Sequence, residues 1–332
     1  MATADQVKAL VKSHGEGDDA RFYSVAMQVA ARAARSGQNR FAQELRDLVD
    51  GLRARETVAP AAVTARLVPV TQPRGELASL LTVSYPAELL SDLVLESQVH
   101  SRLLKVITEQ RQQDKLRAHG FHPLRRLLLT GAPGTGKTMT ARVLAGELRL
   151  PLFSIRLDGL MTKYMGETAA KLRLVFEALS ETRGLYFFDE FDALAGERSL
   201  SNDVGEVRRV LNSFLQFLEQ DESDSIIVAA TNHPQILDKA VFRRFDALIE
   251  YPLPTREAAC AVISNRLANF DLSRIDWGRV ADISVGLSYG DLTVASETAG
   301  KAAVLSGDSG IETEDIVNAI GERRPLINRK EP

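Results

Sequence analysis

Short apolar runs alternate with amphipathic stretches through the middle of the chain. The runs read RRLLLTG, PLFSIRL, GLYFFDE, SIIVAATN and ALIEYPL. The stretches between them carry apolar residues every three or four positions, which is the period of a helix that packs on one face; they read TARVLAGELRL, AAKLRLVFEALSE and EVRRVLNSFLQFLEQ. This alternation predicts an α/β fold with a parallel, five-stranded sheet covered by helices on both faces.

The two ends of the chain show only the helical period. Beyond Thr255 the apolar runs stop, and the pattern predicts a separate helical domain over residues 255–332. The N-terminal region predicts a small helical bundle over residues 1–55. Such a bundle serves either as a cap packed on the main body or as a module that recruits a partner.

Prolines mark the region between the N-terminal bundle and the first predicted strand. Residues 56–88 contain Pro60, Pro69, Pro73 and Pro86. Because prolines at this density prevent a continuous helix, we predict a connector that lies extended on the surface or forms an edge hairpin. A helical pattern then runs from Leu89 to about Leu116 and opens the α/β nucleotide-binding domain, residues 89–254.

The composition is that of an ordinary globular protein. Of the 332 residues, 45% are hydrophobic and 26% are charged, and the net charge is −3. No apolar run approaches the roughly 20 residues that span a bilayer, and the first residues lack the apolar core of a signal peptide. A slightly acidic chain has no general attraction for nucleic acid or anionic membranes. We therefore expect a cytoplasmic protein without membrane or nucleic-acid partners.

The stretch GAPGTGKT, residues 131–138, matches the full pattern of a phosphate-binding loop between a strand and a helix. Backbone N–H groups of such a loop, together with the N-terminus of the helix, surround phosphates. We expect Lys137 to reach the β- and γ-phosphates of a nucleotide and Thr138 to ligate Mg²⁺. The predicted nucleotide contacts are Gly131, Pro133, Gly134, Thr135, Gly136, Lys137, Thr138 and Met139.

Two other predicted strands end in polar residues. Asp189 and Glu190 close LYFFDE, and Asn232 closes SIIVAATN. Open parallel sheets bind ligands at the carboxyl ends of their strands. We expect Asp189 to hold Mg²⁺ through water, Glu190 to polarise the attacking water as general base, and Asn232 to orient that water or sense the γ-phosphate. With the loop, these residues predict nucleotide hydrolysis.

An arginine pair, Arg243 and Arg244, follows a short helical segment in LDKAVFRRFD. One interpretation is a solvated basic pair. The other is that an arginine stabilises the charge of phosphoryl transfer, which requires a neighbouring subunit to deliver it.

The order of these motifs resembles one family. GAPGTGKT, FFDEFDAL, ATN, LDKAVFRRFD and GLSYGDL are similar to the motifs of the AAA ATPases, the family of katanin, spastin and the membrane AAA proteases. The resemblance implies ATP and Mg²⁺ as cofactors and a C-terminal helical lid. It also implies a homo-oligomeric ring, usually a hexamer, in which Arg243 or Arg244 reaches the nucleotide of the adjacent subunit.

The same resemblance implies where the base of the nucleotide lies. Tyr289 and Gly290 of GLSYGDL are placed near the adenine and ribose, and Leu93 and Val94 are adenine neighbours by position. This chain departs from the family at both places. The family usually has a Gly-Ala pair at the lid position, and SDLVLESQVHSRLL lacks the paired glycines of the family.

The stretch MTKYMGETAAKLRLVF resembles the family loop that lines the central pore of the ring and pulls on polypeptide. The resemblance implies that Tyr164 and Met165 grip the substrate, with Lys163 and Gly166 beside them. An aromatic ring and a flexible thioether suit contacts that tolerate many sequences. Alternatively, Tyr164 packs into the body as a loop anchor. AGERSLSNDVGEVRR is interpreted as a second pore-facing loop.

Three functions compete. We favour a ring-forming ATPase that unfolds or remodels a protein substrate. A nucleic-acid-handling ATPase of the helicase-loader or transposition type is disfavoured by the acidic balance, and a non-hydrolysing assembly scaffold by the intact hydrolytic residues. Since the chain has no HExxH motif, any protease is a separate chain. The organisation resembles bacterial AAA proteins encoded beside a subtilisin-like serine protease, so such a protease is a candidate partner.

Overall fold

The computed structural model describes residues 75–160, 167–194, 204–307 and 310–328, together with Val29 and Pro73, and omits the side chains of residues 204–208 and 325–328. The chain divides into two compact units, Met1–Leu67 and Val68–Pro332. The second unit contains nearly all of the described residues. The predicted bundle over residues 1–55 lies outside them, apart from Val29.

The described strands and helices follow one another in the order predicted for an α/β domain followed by a helical domain. The strands are β1 (Leu81–Ser84), β2 (Arg126–Gly131), β3 (Leu152–Ile155), β4 (Leu185–Phe188), β5 (Ile226–Thr231) and β6 (Ala247–Tyr251). The α-helices are α1 (Leu77–Leu80), α2 (Ser97–Arg111), α3 (Gln113–Ala118), α4 (Lys137–Leu148), α5 (Leu157–Leu160), α6 (Glu167–Glu181), α7 (Val204–Gln220), α8 (Lys239–Phe242), α9 (Arg256–Arg266), α10 (Trp277–Ile283), α11 (Tyr289–Ser306) and α12 (Thr313–Asn328).

The sheet has the strand order β1-β3-β4-β5-β2-β6. Strands β2 to β6 are parallel and coincide with the five predicted apolar runs, so the predicted α/β fold is confirmed. The sixth strand, β1, was not named as a strand, but its segment was predicted to lie extended on the surface or to form an edge hairpin. It pairs antiparallel with β3 at the edge of the sheet, from within the proline-rich segment that we had interpreted as a connector. The sheet therefore begins before residue 89.

The central strands are buried on both sides, which explains their continuous apolar sequence. In β2, Leu128 packs into one hydrophobic cluster, while Leu127 and Leu129 point into another on the opposite face. Successive side chains of a strand point to opposite faces, so an uninterrupted Leu-Leu-Leu run fills two cores at once. This burial fixes the carboxyl ends of β2, β4 and β5 at one edge of the sheet.

The helix predicted from Leu89 to about Leu116 is broken into three pieces. A 3-10 turn, Leu90–Asp92, precedes α2, and α2 ends at Arg111 before α3 begins. The Asp92 carboxylate accepts a hydrogen bond from the Leu89 N–H (2.8 Å), and the Glu147 carboxylate accepts one from the Leu90 N–H (2.9 Å). Asp92 thus satisfies a backbone donor of its own turn, and Glu147 reaches the next one from α4; the backbone is extended at Leu93 and Glu96, between the turn and α2.

The helices from Arg256 onward pack around their own hydrophobic cluster, which includes Ile263, Leu292 and Ile316. Asp276 caps α10, and Ser288 and Asp291 form a reciprocal capping box at the start of α11. Each cap satisfies backbone N–H groups that have no partner within their own helix. The start of α11 is therefore fixed, and it lies against the loop after β2.

Candidate functional site

The phosphate-loop sequence forms the turn between β2 and α4, at the carboxyl edge of the sheet. Gly134 and Gly136 have φ values of 76° and 101°, in the left-handed region that glycine adopts without strain. The Thr135 side chain is buried, and its hydroxyl donates to the Ala132 carbonyl (2.8 Å). Pro133 and Met139 are exposed. The loop thus has a fixed shape with its outer side open.

Lys137 is buried beneath this loop. Its Nζ donates to the carbonyls of Gly131 and Ala132, both at 2.8 Å. Burial lowers the pKa of the Lys137 ammonium, and the carboxylates of Asp189 and Asp192 oppose that shift. The hydrogen-bond partners of Lys137 are neutral, two carbonyls and the Thr135 hydroxyl, so this buried cation gains when an anion arrives. The environment of Lys137 therefore fits a bound phosphate.

Asp189 and Glu190 form the turn at the end of β4, facing the start of α4. The Thr138 hydroxyl donates to Asp189 Oδ2 (2.8 Å), and the Glu190 N–H donates to Asp189 Oδ1 (2.9 Å). Glu190 has a φ of 50°, which is uncommon for a residue with a side chain. A hydroxyl and a carboxylate in contact are oxygen ligands of the kind that Mg²⁺ takes beside a nucleotide, so this pair fits the ion.

A second carboxylate on the same turn reaches the neighbouring strand. The Thr231 hydroxyl at the end of β5 donates to Asp192 Oδ1 (2.9 Å) and accepts a hydrogen bond from the His233 N–H (2.9 Å). Asn232, the predicted water-orienting residue, lies between Thr231 and His233 in the chain and is half-buried. The sequence reasoning missed Asp192 and Thr231, although the second aspartate of DEFD was a visible signal.

The two arginines after α8 differ in their surroundings. Arg244 forms an ion pair with Glu219 near the end of α7. Arg243 is exposed and makes no hydrogen bond or ion pair with any residue in the described ranges. Arg244 is therefore bound within its own chain, whereas the charge of Arg243 is free to act elsewhere.

The C-terminal helices meet the phosphate loop directly. The Gly290 N–H donates to the Gly134 carbonyl (2.9 Å), and a Cβ on Gly134 would overlap the Ser288 hydroxyl. Tyr289 and Val94 both pack against the C-terminal cluster, and Leu93 packs against the core of the α/β domain. Burial, followed by the nearby Glu96 carboxylate, raises the pKa of the Tyr289 phenol. Tyr289 and Gly290 thus lie at the phosphate loop. Leu93 and Val94, the two predicted adenine neighbours, lie on the segment between the 3-10 turn and α2.

The predicted pore-loop residues Lys163, Tyr164, Met165 and Gly166 lie outside the described residues. Residues 195–203 of the second predicted pore loop do as well, whereas residues 204–209 form the start of α7, where Arg209 is exposed. Their role stays a prediction from sequence.

Comparison with known proteins identifies the family. Residues 127–253 match the model of the ATPase family associated with various cellular activities (AAA). Over 96% of its length the chain is 31% identical to an AAA family ATPase of Sinorhizobium fredii, y4kL, and it covers 95% of that protein. This chain belongs to the AAA ATPase family. The predicted resemblance is confirmed, and the protein is an ATP-binding, ATP-hydrolysing enzyme.

Two other relatives of this AAA ATPase are named for proteolysis. It is 31% identical to the ATP-dependent zinc metalloprotease FtsH 3 of Sphaerobacter thermophilus and 33% identical to the proteasome-activating nucleotidase of Pyrococcus abyssi. The chain spans only about half of each, 52% and 56%. The crystal structure of the FIGL-1 AAA domain shares the fold, with a TM-score of 0.60 and 22% identity over 79% of this chain and 91% of that one.

Two kinds of feature are absent from the described part of this AAA ATPase. None of its described helices is long and apolar enough to cross a membrane. Its described residues also contain no group of three or more His, Cys, Asp or Glu side chains arranged to hold a metal ion.

Proposed function

We propose that this AAA ATPase assembles into a homo-oligomeric ring, a hexamer, and uses ATP hydrolysis to unfold or remodel a protein substrate. The ring is supported by Arg243, an exposed guanidinium that pairs with no described acidic residue and lies after α8, close to the amino end of β6. An arginine delivered to the γ-phosphate of a neighbouring copy stabilises the charge of phosphoryl transfer.

The hydrolytic step follows from the positions of the side chains. Lys137 binds the β- and γ-phosphates, exchanging its carbonyl partners for charged oxygens. Thr138 and Asp189 hold Mg²⁺, which supplies positive charge to the phosphates. The exposed Glu190 carboxylate accepts the proton of the attacking water, and Asn232 orients that water.

The nucleotide base lies between the lid and the segment before α2. Tyr289, Gly290, Leu93 and Val94 line that place, and the hydrogen bond from Gly290 to Gly134 joins it to the phosphate loop. The closeness of these groups supports the predicted adenine contacts, including those at positions where the sequence departs from the family.

The output of hydrolysis is proposed to be a pull on polypeptide by Tyr164 and Met165, flanked by Lys163 and Gly166. The proposal rests on the KYMG sequence and on a relative named proteasome-activating nucleotidase. Because relatives are named for proteolysis, we also propose that the remodelled substrate passes to a protease on a separate chain. The serine protease type follows only from the resemblance of this chain's organisation to bacterial AAA proteins encoded beside a subtilisin-like serine protease.

The test uses Glu190→Gln, which retains ATP but does not hydrolyse it. With ATP, this variant is expected to bind a labelled unstructured polypeptide, and the additional change Tyr164→Ala is expected to abolish that binding. Tyr85→Ala is the matched control, since Tyr85 is an aromatic side chain on the surface of the α/β domain, 50% exposed. Labelled single-stranded DNA is the competing ligand. Binding of DNA that is indifferent to Tyr164, without binding of polypeptide, contradicts the proposal.

A further inference from the structure

A buried hydrogen-bond relay joins the last strand of the sheet to the phosphate loop. The hydroxyls of Tyr251, at the end of β6, and Thr140, in the first turn of α4, lie 2.7 Å apart. Tyr251 is 3% exposed and Thr140 is fully buried. The Thr140 hydroxyl also lies 3.0 Å from the carbonyl of Gly136, the loop residue directly before Lys137.

The donors in this relay have one consistent assignment. A backbone carbonyl only accepts, so the Thr140 hydroxyl donates its proton to Gly136. Tyr251 therefore donates to Thr140, and its hydroxyl has no other hydrogen-bond partner in the described part of the chain. All three groups are then satisfied without water, which is the condition under which a buried polar network is favourable.

Tyr251 also contacts the start of the loop. It is the partner of Gly131 in the β2–β6 ladder, and a Cβ on Gly131 would overlap the Tyr251 carbonyl. Gly131 has a φ of 150° and its carbonyl accepts a hydrogen bond from Lys137. Tyr251 thus contacts Gly131, the first glycine of the loop, through its backbone. Through the Thr140 hydroxyl it is also linked to Gly136, the last glycine of the loop.

Tyr251 is also the last residue of the sheet before the C-terminal helical domain. Pro252 and Pro254 follow it, and α9 begins at Arg256. Because proline fixes φ, this connector is short and stiff. Tyr251, which contacts both ends of the phosphate loop, is therefore also the last residue before the connector to the C-terminal helical domain.

We propose that Tyr251 is a positioning residue that holds the phosphate loop in its nucleotide-binding shape, through Thr140 at one end and Gly131 at the other. It touches no reacting atom. Its contribution is to keep the backbone N–H groups of the loop and the Lys137 ammonium in register with the phosphates before the nucleotide arrives.

The test measures the equilibrium Kd of a fluorescent ADP analogue for the full chain. Tyr251→Phe removes only the hydroxyl and is expected to raise the Kd about fivefold, the effect of one net hydrogen bond. Thr140→Val breaks the relay from the other side and is expected to raise it by a similar factor. The double variant is expected to bind the analogue no more weakly than the weaker-binding of the two single variants, because both changes remove the same hydrogen-bond relay. Thr140→Ser retains the hydroxyl and is expected to keep the wild-type Kd.

Tyr186→Phe is the matched control. Tyr186 is also a fully buried tyrosine of the same sheet, and its hydroxyl donates to the Ala178 carbonyl at 2.9 Å, away from the phosphate loop. Its loss is expected to lower the melting temperature without changing the Kd. An unchanged Kd in folded Tyr251→Phe, an equal rise in Tyr186→Phe, or additive single effects each overturn the proposal. Where Tyr251→Phe does not fold, the Thr140→Val and Thr140→Ser pair decides, and equal Kd values for these two overturn it.

Discussion

At the scale of single residues, the proposed hydrolytic chemistry depends on one turn. Its two aspartates, Asp189 and Asp192, accept hydrogen bonds from opposite sides. Asp189 accepts a hydrogen bond from Thr138 on the phosphate-loop side, and Asp192 accepts one from Thr231 on the β5 side. Between them, the Glu190 side chain makes no hydrogen bond or ion pair with any described residue. The proposed general base is thus held by its backbone, and its carboxylate is left available to water.

The Thr231 hydroxyl is predicted to act on turnover rather than on binding. Thr231→Val keeps the shape but loses the bonds to Asp192 and to the His233 N–H, so the turn that carries Glu190 and the position of Asn232 become less defined. We expect kcat to fall about tenfold with little change in KM. Steady-state ATPase assays check this, with Thr231→Ser as the control that keeps the hydroxyl. Equal losses in the valine and serine variants contradict the prediction.

Residues that belong to a contiguous motif were predictable from sequence, whereas residues that act through a partner far along the chain were not. Lys137 and Thr138 could be named from the sequence because the loop pattern itself requires them. Thr231 and Tyr251 pair with Asp192 and Thr140, which are 39 and 111 residues away, and only the strand order brings them together. A single sequence carries no signal for such distances.

At the scale of elements, the strands buried on both faces were the most predictable part of the fold. Strands β2 to β5 read as apolar runs because each packs into two cores, whereas β6 buries only one face. The edge strand β1 has one buried residue, Leu81, and lies among prolines, so its sequence indicated an extended segment or an edge hairpin but not the pairing with β3. The helix predicted from Leu89 was too long. At its start the Asp92 and Glu147 carboxylates accept hydrogen bonds from backbone N–H groups, and the hydrophobic period carries no signal for such caps.

The contact between the lid and the phosphate loop predicts the effect of Gly134→Ala. The new Cβ meets the Ser288 side chain at the start of α11 in addition to straining a φ of 76°. We expect nucleotide affinity to fall about tenfold or more, because strain and overlap together cost on the order of 1–3 kcal/mol.

The control for this prediction is Gly120→Ala. Gly120 has a comparable φ of 79° but open space around its missing Cβ, so the substitution carries the backbone strain alone. Isothermal titration with ADP compares the two variants. If both retain wild-type affinity, the lid does not pack on the loop as described.

The ion pair between α3 and the start of β5 predicts a dependence of stability on pH. The Arg117 guanidinium holds the pKa of the Asp224 carboxyl below its ordinary value of 3.8. A carboxyl with a lowered folded-state pKa stabilises the fold above its unfolded pKa and loses that contribution as the pH falls through the lowered value. We expect Arg117→Met to cost about 0.5 kcal/mol of unfolding free energy near neutral pH and to flatten the loss of stability below about pH 4.

Thermal unfolding across the acid range checks this, with Arg173→Met as control. Arg173 pairs with Glu177 on the exposed face of one helix, α6, so its loss removes a cation without separating two elements. The same acid profile in Arg117→Met and in the wild type is the contrary result.

At the scale of the whole molecule, the described chain supplies nearly every group that hydrolysis needs. The phosphate loop, the Asp189–Glu190 turn and Asn232 meet at one edge of the sheet, and the lid adds Tyr289 and Gly290. The family was recognisable from the order of motifs, and the comparisons confirm it. The surroundings of Arg243 were not predictable, because the contrast with Arg244 depends on the ion pair to Glu219 that only the fold creates.

The central claim is that each ATP site is completed by Arg243 of a neighbouring copy, and mixing two inactive variants tests it most directly. Arg243→Ala lacks the arginine but keeps Glu190; Glu190→Gln lacks the base but still offers Arg243. If the site is shared, mixed rings contain sites with both groups, and ATPase activity rises well above the sum of the two variants measured separately. Arg244→Ala is the control, since Arg244 is paired within its own chain. Activity that stays at the sum across all mixing ratios contradicts the account.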